Sequence, residues 1–444
     1  MTISLYNTRT RHKEILKKPA SRPLSIYTCG PTVYNFAHLG NLRTYVGVDI
    51  LLRFLRQQNI PLKHIINITD VGHLTSDADT GEDKIEKAAR QKRKSAKAIA
   101  AYFTNAFKKD LAKLNVVFGE GDSSFVKATE TLPEQIALIK YLEDKDFTYQ
   151  TADGIYFNTK KYPAYSSFAK LNIGKQKSTA RIRIAASKKT PTDFALWKFS
   201  PPGGKRQMEW DSPWGVGFPG WHTECAAIVL KYLGNAFISQ KFNPKAYRTI
   251  NIHSGGIDHI PIHHTNEIAQ ISGATKKLAA DIWLHGEFLI TAKKRMGKSA
   301  DNFIKLSDLA KNKISALAYR YFLLNAHYRS PLNFSWKALA GAQKSLKNLY
   351  NKIKTLPSPS AGGNAYFDNK FYQALADDLN TPRALSVVWD LLKSNSDAAQ
   401  KCCSLLKYDE ILGLNLATAR KIKTVKISRD LKLLLNARET ARQN

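Results

Sequence analysis

The chain has 444 residues, 43% of them hydrophobic and 23% charged, and 68 lysines and arginines against 36 acidic residues give a formal net charge of +32. This length allows about two to four domains, and no apolar run reaches the length of a membrane span. So large a positive charge predicts a polyanionic partner, nucleic acid first and an anionic membrane second, unless the source organism has lysine-rich proteins in general.

The N-terminal segment and the cysteines bear on the compartment. Residues 1–18 are basic but have no apolar core like that of a signal peptide, and Glu14 is a residue that a mitochondrial presequence tends to avoid. Cys402 and Cys403 are adjacent, whereas Cys29 and Cys225 stand alone, which is no disulfide framework. We therefore expect a cytoplasmic protein with reduced thiols, in which the isolated pair is a candidate for metal binding or catalysis.

The first predicted elements form a strand–helix–strand unit. A strand over 26–29 is followed by a Gly-Pro loop, a helix over 42–57 and a second strand over 62–68. This order predicts the start of a parallel sheet. A long, basic, amphipathic helix is then predicted over 82–114.

The pattern changes between residues 116 and 209. Alternating segments over 147–150 and 155–158 flank an Asp-Gly turn and predict a β-hairpin. A serine- and lysine-rich stretch follows at 175–190. We interpret this region as an insertion into the sheet domain.

Sheet-type sequence resumes near Trp210, with strands predicted over 247–253 and 283–289. After Phe303 the apolar residues recur with helical periodicity. The predicted helices of this C-terminal part cover residues 316–324, 336–353, 367–376 and 384–392. The architecture is therefore an α/β sheet domain with an insertion, followed by an all-helical part.

The corner after the first strand carries Cys29 and the segment His38-Leu39-Gly40-Asn41. Ligands of open α/β sheets bind where strands end and helices begin, and a helix N-terminus suits phosphate. Gly40 permits close approach of the backbone, and His38 can donate a hydrogen bond to a phosphoryl oxygen. The alternative is a histidine that only satisfies the helix start.

Four of the eleven histidines fall between His253 and Glu267. Pro261 suits a helix start, so His263 and Glu267 are predicted at i and i+4 on one helical face, where they can ligate one metal. Asp258 follows a strand and a Gly-Gly pair and can accept hydrogen bonds from a ribose. A polar helix N-terminus with a buried histidine is the alternative.

Cys225 opens a helix predicted over 226–233. An isolated buried cysteine is usually a small hydrophobic residue. With Cys29, His263 and Glu267 it makes a Cys₂-His-Glu set, which spacing alone does not establish because only the fold could bring the four together.

A basic, glycine-containing loop lies at 293–302, before the helical part. Its lysines can neutralise a pyrophosphate. A solvated loop in a basic protein is the alternative.

Together and in this order, these segments resemble the cysteinyl-tRNA synthetases, a family of class I aminoacyl-tRNA synthetases. The resemblance covers residues 5–416, and Arg295-Met296-Gly297-Lys298-Ser299 takes the place of the family's Lys-Met-Ser-Lys-Ser loop. The segment 378–382 looks like the signature of the family's helical domain. The most specific matches lie at residues 29–34, 38–41, 67–70, 193–198, 220–225 and 263–267.

The resemblance implies an amino-acid pocket with one zinc ion at its floor, to which the substrate cysteine binds through its own thiolate. Thr69 and Trp221 are implied as walls of that pocket. The implied zinc ligands are Cys29, Cys225, His263 and Glu267. A thiolate binds zinc tightly, whereas a serine hydroxyl stays protonated and ligates poorly, so zinc would discriminate between the two amino acids.

The resemblance also implies an ATP site. His38, Gly40 and Asn41 would handle the phosphates, with Mg²⁺ expected to accompany ATP. Gly256 and Asp258 would face the adenosine. Lys298 would stabilise the leaving pyrophosphate, so that His38, Asn41 and Lys298 are the catalytic residues. The implied partners are L-cysteine, ATP and tRNA(Cys), and we expect a monomer that does not bind membranes.

The predicted fold class is α/β, with a Rossmann-like parallel-sheet catalytic domain, a connective insertion and an all-helical C-terminal domain. The predicted domains are 1–115 with 210–300 (catalytic), 116–209 (insertion), 301–335 (linking segment), 336–416 (helical, tRNA-binding) and 417–444 (start of an anticodon-binding domain).

Two departures from the family pattern stand out. Arg295 and Gly297 replace the usual lysine and serine, while Lys298 is kept, so activity is expected. Residues 431–442 look like the first helix of the family's anticodon-binding domain, and the sequence stops at Asn444, where family members usually continue. How tRNA identity is determined is therefore left open.

Two rival functions remain at this point. A related ligase of the mycothiol pathway shares the zinc pocket but lacks the full helical region that residues 316–416 supply here. A non-catalytic, synthetase-like RNA-binding protein would be expected to lose phosphate-handling or zinc residues, and the key ones are present apart from the loop changes.

Overall fold

The computed structural model describes residues 1–72, 74, 81–170, 188–201, 206–291, 294–295, 303–421, 437–438 and 441. The strands in this part of the chain are β1 (Ser4–Asn7), β2 (His12–Ile15), β3 (Leu24–Thr28), β4 (Leu62–Ile68), β5 (Ser123–Lys127), β6 (Thr148–Thr151), β7 (Gly154–Phe157), β8 (Phe194–Phe199), β9 (Gly217–Pro219), β10 (Phe237–Ile238), β11 (Lys241–Phe242), β12 (Ile250–Gly256), β13 (Ala280–Gly286), β14 (Leu289–Thr291), β15 (Lys294–Arg295) and β16 (Leu332–Phe334).

The α-helices of the same residues are α1 (Leu39–Gln57), α2 (Lys84–Lys92), α3 (Ala96–Lys113), α4 (Leu132–Asp144), α5 (Trp221–Ile228), α6 (Thr265–Thr275), α7 (Leu306–Lys311), α8 (Ala316–Leu324), α9 (Trp336–Lys354), α10 (Ala365–Ala376), α11 (Thr381–Lys393), α12 (Ala398–Leu412) and α13 (Leu416–Lys421). No described helix combines the length and the apolar character that crossing a membrane requires.

Five parallel strands form the central sheet in the order β13-β12-β3-β4-β5. The helix α1 connects β3 to β4, which confirms the predicted strand–helix–strand unit. β4 has the predicted bounds because every residue except Lys63 is buried, as expected of a strand covered on both faces. The predicted fold class, an α/β domain followed by helices, is confirmed.

The two faces of the central sheet pack into separate apolar cores. Leu24 and Ile26 of β3 belong to a core that also contains α1, α3 and the helices α8–α12. Tyr27 of the same strand points into the other core, with α4, α5 and α6. Because strand side chains alternate between faces, one strand serves both cores. The C-terminal helices therefore share a core with α1.

Residues 82–114 form two helices instead of the single one predicted. After α2 ends, Arg93 adopts a left-handed conformation with φ of 52°, and the Ser95 side chain accepts a hydrogen bond from the Ala98 N–H (3.2 Å). A serine that caps a new helix gives the backbone an alternative to continuing the old one. The amphipathic pattern runs through this break, so periodicity alone did not indicate it.

A second sheet, antiparallel, has the order β6-β7-β8-β9 and contains the predicted hairpin as β6 and β7. Two strands cross the limits predicted for the insertion. β5 lies inside 116–209 but pairs with β4 in the central sheet, and β9 lies after residue 209 but pairs with β8. Strand pairing favours an insertion that starts after β5 and ends with β9, and the division into domains stays a prediction.

Candidate functional site

The ends of β3, β4 and β12 meet at the carboxyl edge of the central sheet, where open α/β sheets bind ligands. The Cys29 N–H donates to the Ser254 carbonyl (2.9 Å), and the Gly30 N–H donates to Asn67 Oδ1 (2.6 Å). A Cβ atom at Gly30 would lie 1.7 Å from the Asn67 carbonyl oxygen, so only glycine fits there. This close contact between the loop and β4 fixes the position of Cys29.

The four predicted metal ligands converge at this edge. The ligand atoms of Cys29, Cys225, His263 and Glu267 lie within 4.8 Å of one another, and all four residues are buried. Cys225 is on α5, and a π-helical turn at Ile260–His264 leads into α6 and places His263 Nε2 3.0 Å from Glu267 Oε1. Glu267 Oε2 lies 3.4 Å from His253 Nε2 without forming a hydrogen bond of good geometry. Two thiols, an imidazole and a carboxylate are a donor set that fits zinc.

A second, overlapping group of possible ligands consists of Cys29, His253, His264 and Glu267, also within 4.8 Å of one another. His264 Nε2 lies 3.2 Å from Cys29 Sγ, and His253 Nε2 lies 3.4 Å from Glu267 Oε2. The other ring nitrogen of His264 lies 2.7 Å from His285 Nε2. The sequence patterns indicate no separate role for His253, His264 or His285.

The surroundings of the two thiols shift their pKa values in opposite directions. Burial alone would raise the pKa of Cys225, but its hydrogen bond with Cys29 and the charge of His263 outweigh burial and lower that pKa to about 6. Burial and the same hydrogen bond raise the pKa of Cys29 well above its usual value. Burial opposes protonation of His263, yet Cys225 and Glu267 raise its pKa to about 10. The side chains around Cys225 therefore favour its thiolate, the form that ligates a metal.

His38 and Asn41 form the start of α1. Asn41 donates its N–H to His38 Nδ1 (3.1 Å), and the His38 N–H donates to Asn41 Oδ1 (3.3 Å). This reciprocal capping box accounts for both residue types in structural terms. It also fixes the His38 ring through Nδ1, which sets the direction of Nε2 beside the helix N-terminus. A Cβ atom at Gly40 would lie 3.0 Å from that ring.

Gly256 and Asp258 lie at the end of β12, opposite the first turns of α1. A Cβ atom at Gly256 would lie 2.4 Å from Asp258 Oδ1 and 3.9 Å from Thr44 Oγ1. The carboxylate of Asp258 therefore covers the bare backbone of Gly256 between the two elements. These residues and the capping box of α1 belong to the same edge of the sheet.

The two predicted pocket walls have different surroundings. The ring of Trp221, half-buried at the start of α5, lies with its centroid 4.2 Å from that of His263. Thr69 is buried and accepts a hydrogen bond from Asn67 Nδ2 (3.0 Å). Lys298 lies outside the described residues, as does most of the loop around it.

Two family models match the chain. Residues 15–344 match "tRNA synthetases class I (C) catalytic domain", and residues 370–417 match "DALR domain". A cysteine–tRNA ligase from Burkholderia lata is 42% identical over 100% of this chain and 90% of its own length. Another from Treponema denticola is 42% identical over 94% of this chain and 87% of its own length. This chain belongs to the cysteine–tRNA ligases.

Membership in the cysteine–tRNA ligases confirms the predicted family and the prediction of an enzyme, an aminoacyl-tRNA synthetase that uses ATP to attach cysteine to tRNA. Solved structures show the same fold at low identity. The methionyl-tRNA synthetase of Mycobacterium tuberculosis in complex with methionyl-adenylate has a TM-score of 0.59 at 15% identity, covering 90% of this chain and 91% of that one. A LeuRS–tRNA–LeuAMS ternary complex from Agrobacterium radiobacter K84 has a TM-score of 0.60 at 9% identity, covering 92% and 86%.

The histidines that sequence reasoning missed in this cysteine–tRNA ligase had a signal in the sequence. His253 belongs to β12, one residue after Ile252, and strand alternation turns it to the face opposite that core residue. His264 precedes Glu267 by three residues, a helical neighbour like the predicted i+4 pair. The histidine-rich stretch is evident in the sequence, but the sequence does not distinguish the proposed ligand His263 from the histidines beside it.

Proposed function

We propose that Cys29, Cys225, His263 and Glu267 hold one zinc ion and that this ion selects cysteine through the thiolate of the substrate. The observation that carries the proposal is the convergence of these four buried side chains from three separate parts of the chain. When bound, zinc supplies a Lewis-acidic position that favours a thiolate over a neutral hydroxyl. A site of this kind can reject serine by about 10⁴-fold or more without a separate editing step.

The donor chemistry favours this set over the one with His253 and His264. It contains two thiols, and soft sulfur ligands favour zinc over harder cations. Trp221 packs on the proposed ligand His263 and would form one wall of the cysteine pocket, and Thr69 would form another.

The ATP site is proposed at the N-terminus of α1. The helix start, with His38 and Asn41, faces the phosphates, and Gly40 allows their close approach. Gly256 and Asp258 face the adenosine, and Lys298 neutralises the pyrophosphate, with Mg²⁺ accompanying ATP. The cysteine carboxylate attacks the α-phosphorus and pyrophosphate leaves, so the protein contributes position and charge and no nucleophile of its own.

The activated cysteine then passes to the 3′ end of tRNA(Cys). A hydroxyl of the terminal ribose attacks the carbonyl carbon, and AMP leaves. The helical region after residue 336 and the positive charge of the chain support tRNA as the acceptor.

Removal of the metal tests whether zinc selects cysteine as the substrate. The protein is stripped with a chelator, and cysteine-dependent exchange between ATP and pyrophosphate is measured with and without added zinc. We expect the stripped protein to lose exchange and one equivalent of zinc to restore it, because the cysteine site depends on the ion. Full exchange by metal-free protein, with its preference for cysteine over serine intact, would contradict the proposal.

Gly40→Ala tests the phosphate role of α1. The new methyl group presses on the His38 ring, so we expect the exchange rate to fall by about 10- to 100-fold and KM for ATP to rise, while KM for cysteine is unchanged. Gly47→Ala is the control, because in the same helix its nearest contact would be an ordinary 3.8 Å. Equal kinetics for the two variants would exclude the role of His38 that we propose.

A further inference from the structure

An exposed aromatic ring lies beside the start of α1. Tyr102 on α3 is 52% exposed, although the opposite side of α3 packs into the core through Phe103 and Phe107. Phe36 packs edge-on against both Tyr102, with ring centroids 6.1 Å apart, and Phe103, at 5.2 Å. The exposed ring thus packs against two other aromatic rings, Phe36 and Phe103, whose centroid lies 5.0 Å from that of Tyr102.

Positive charge surrounds this ring. The Lys94 ammonium lies 5.9 Å from the centroid of Tyr102, and the Lys305 ammonium lies 5.2 Å from that of Phe36. Lys94 lies in the break between α2 and α3, where the left-handed Arg93 presents an exposed basic turn at residues 92–94.

The acidic side chains nearest in sequence are paired with other cations. Glu82 pairs with Arg90, and Asp83 and Glu86 both pair with Arg206 (2.6 and 3.5 Å). Among the ion pairs of the described residues, none involves the basic turn at 92–94. The charge of this turn is therefore available to a polyanion.

The position of this surface limits what can bind there. Phe36 is two residues before His38, and the Leu39 N–H at the start of α1 donates to the Ile304 carbonyl, next to Lys305 (2.9 Å). Phe36 and Lys305 therefore lie next to the start of α1, where the ATP site is proposed, and Tyr102 packs against Phe36 on the side of α3. A polyanion bound to these residues would lie close to the proposed ATP site.

We propose that Phe36, Lys94, Tyr102 and Lys305, together called the Tyr102 platform, bind the single-stranded 3′ end of the tRNA. One unpaired base stacks on the exposed Tyr102 ring, and the two lysines neutralise the adjoining phosphates. Stacking on an exposed aromatic ring flanked by cations is the usual way in which proteins hold unpaired nucleotides. The inference rests on the proposed transfer to tRNA, and it identifies the surface that holds the tRNA end during that step.

Tyr102→Ala tests the platform through the two half-reactions. Because Tyr102 belongs to neither the proposed cysteine pocket nor the proposed ATP site, we expect cysteine-dependent exchange to stay within about twofold of wild type. The single-turnover transfer of cysteine from preformed adenylate to tRNA should fall by about 10- to 100-fold. Tyr102→Phe should restore transfer, because it keeps the stacking ring.

The second measurement is tRNA affinity. Wild-type protein should bind intact tRNA more tightly than the same tRNA without its four 3′-terminal nucleotides, and Tyr102→Ala should remove that difference. Tyr366→Ala is the matched control, a 61%-exposed tyrosine on α10 with the Lys370 ammonium 4.2 Å from its ring centroid. It should leave the difference unchanged.

The outcomes separate this inference from the proposed function. Wild-type protein that fails to exchange or to charge tRNA would remove the proposed function itself. Wild-type protein that charges tRNA, with a Tyr102→Ala variant that transfers cysteine and distinguishes the two tRNAs as well as wild type, would overturn the platform alone.

Discussion

Replacing Cys225 by serine is expected to lower cysteine activation by at least about 100-fold and to remove most of the bound zinc. Removing even an outer partner of a metal ligand costs about 10- to 100-fold, and this change removes a ligand itself. Serine is nearly the size of cysteine, so the buried packing around α5 is kept while the thiolate is lost. The preference for cysteine over serine should be lost together with the thiolate. Metal analysis and exchange assays with both amino acids measure the two effects.

Two further variants make the result specific. Cys402→Ser changes another fully buried cysteine, on α12, and should retain zinc and activity. His253→Asn removes a residue found only in the alternative ligand set. If His253→Asn retains zinc and Cys225→Ser loses it, the result supports the proposed set of ligands. The reverse pattern would mean that His253 and His264 hold the metal, and a Cys225→Ser variant that still prefers cysteine would refute selection by zinc.

The fold was predictable wherever one local pattern decided the structure. β4 and α8 have their predicted bounds, because an isoleucine-rich β-branched segment and a clear helical period need no long-range information. The break at Arg93 was missed because amphipathic periodicity continues across it and only the Ser95 cap indicates a new helix. The position of β5 depends on its pairing with β4, which no local pattern specifies.

The candidate site was predictable in its residue types but not in its full membership. The resemblance to a family supplied Cys29, Cys225, His263 and Glu267, and the fold brings them together. Spacing in the sequence could not predict that these four residues lie together, because Cys29 and Cys225 belong to elements far apart in the chain. Strand alternation in β12 indicated the face of His253, but the sequence did not show that this face meets His264 or that a π-helical turn precedes α6.

Replacing Asp49 by alanine is expected to lower the free energy of unfolding by about 3–5 kcal/mol. Arg320 on α8 is fully buried and forms an ion pair with Asp49 of α1 (2.6 Å). Its guanidinium also donates to the carbonyls of Leu412 (2.6 Å) and Leu114 (3.0 Å), so it joins four segments of the shared core. Burial lowers the pKa of Arg320, and Asp49 is the largest opposing influence. Without Asp49 the positive charge stays buried and unpaired.

A double-variant comparison separates this cost from ordinary loss of packing. Arg320→Met combined with Asp49→Ala should destabilise by clearly less than the sum of the two single changes, because the second change removes the charge that the first left unpaired. The Lys13–Asp377 pair is the surface control, with both side chains 44% exposed, and Asp377→Ala should cost less than about 1 kcal/mol. Denaturant unfolding followed by tryptophan fluorescence measures the stability of wild type and of all four variants. Strict additivity of the two core changes would show that the pair is not coupled. The expected coupling would instead show that α1 and α8 stabilise each other through this buried ion pair. The helix that carries the proposed ATP site at its start would then depend on the C-terminal helices for its stability.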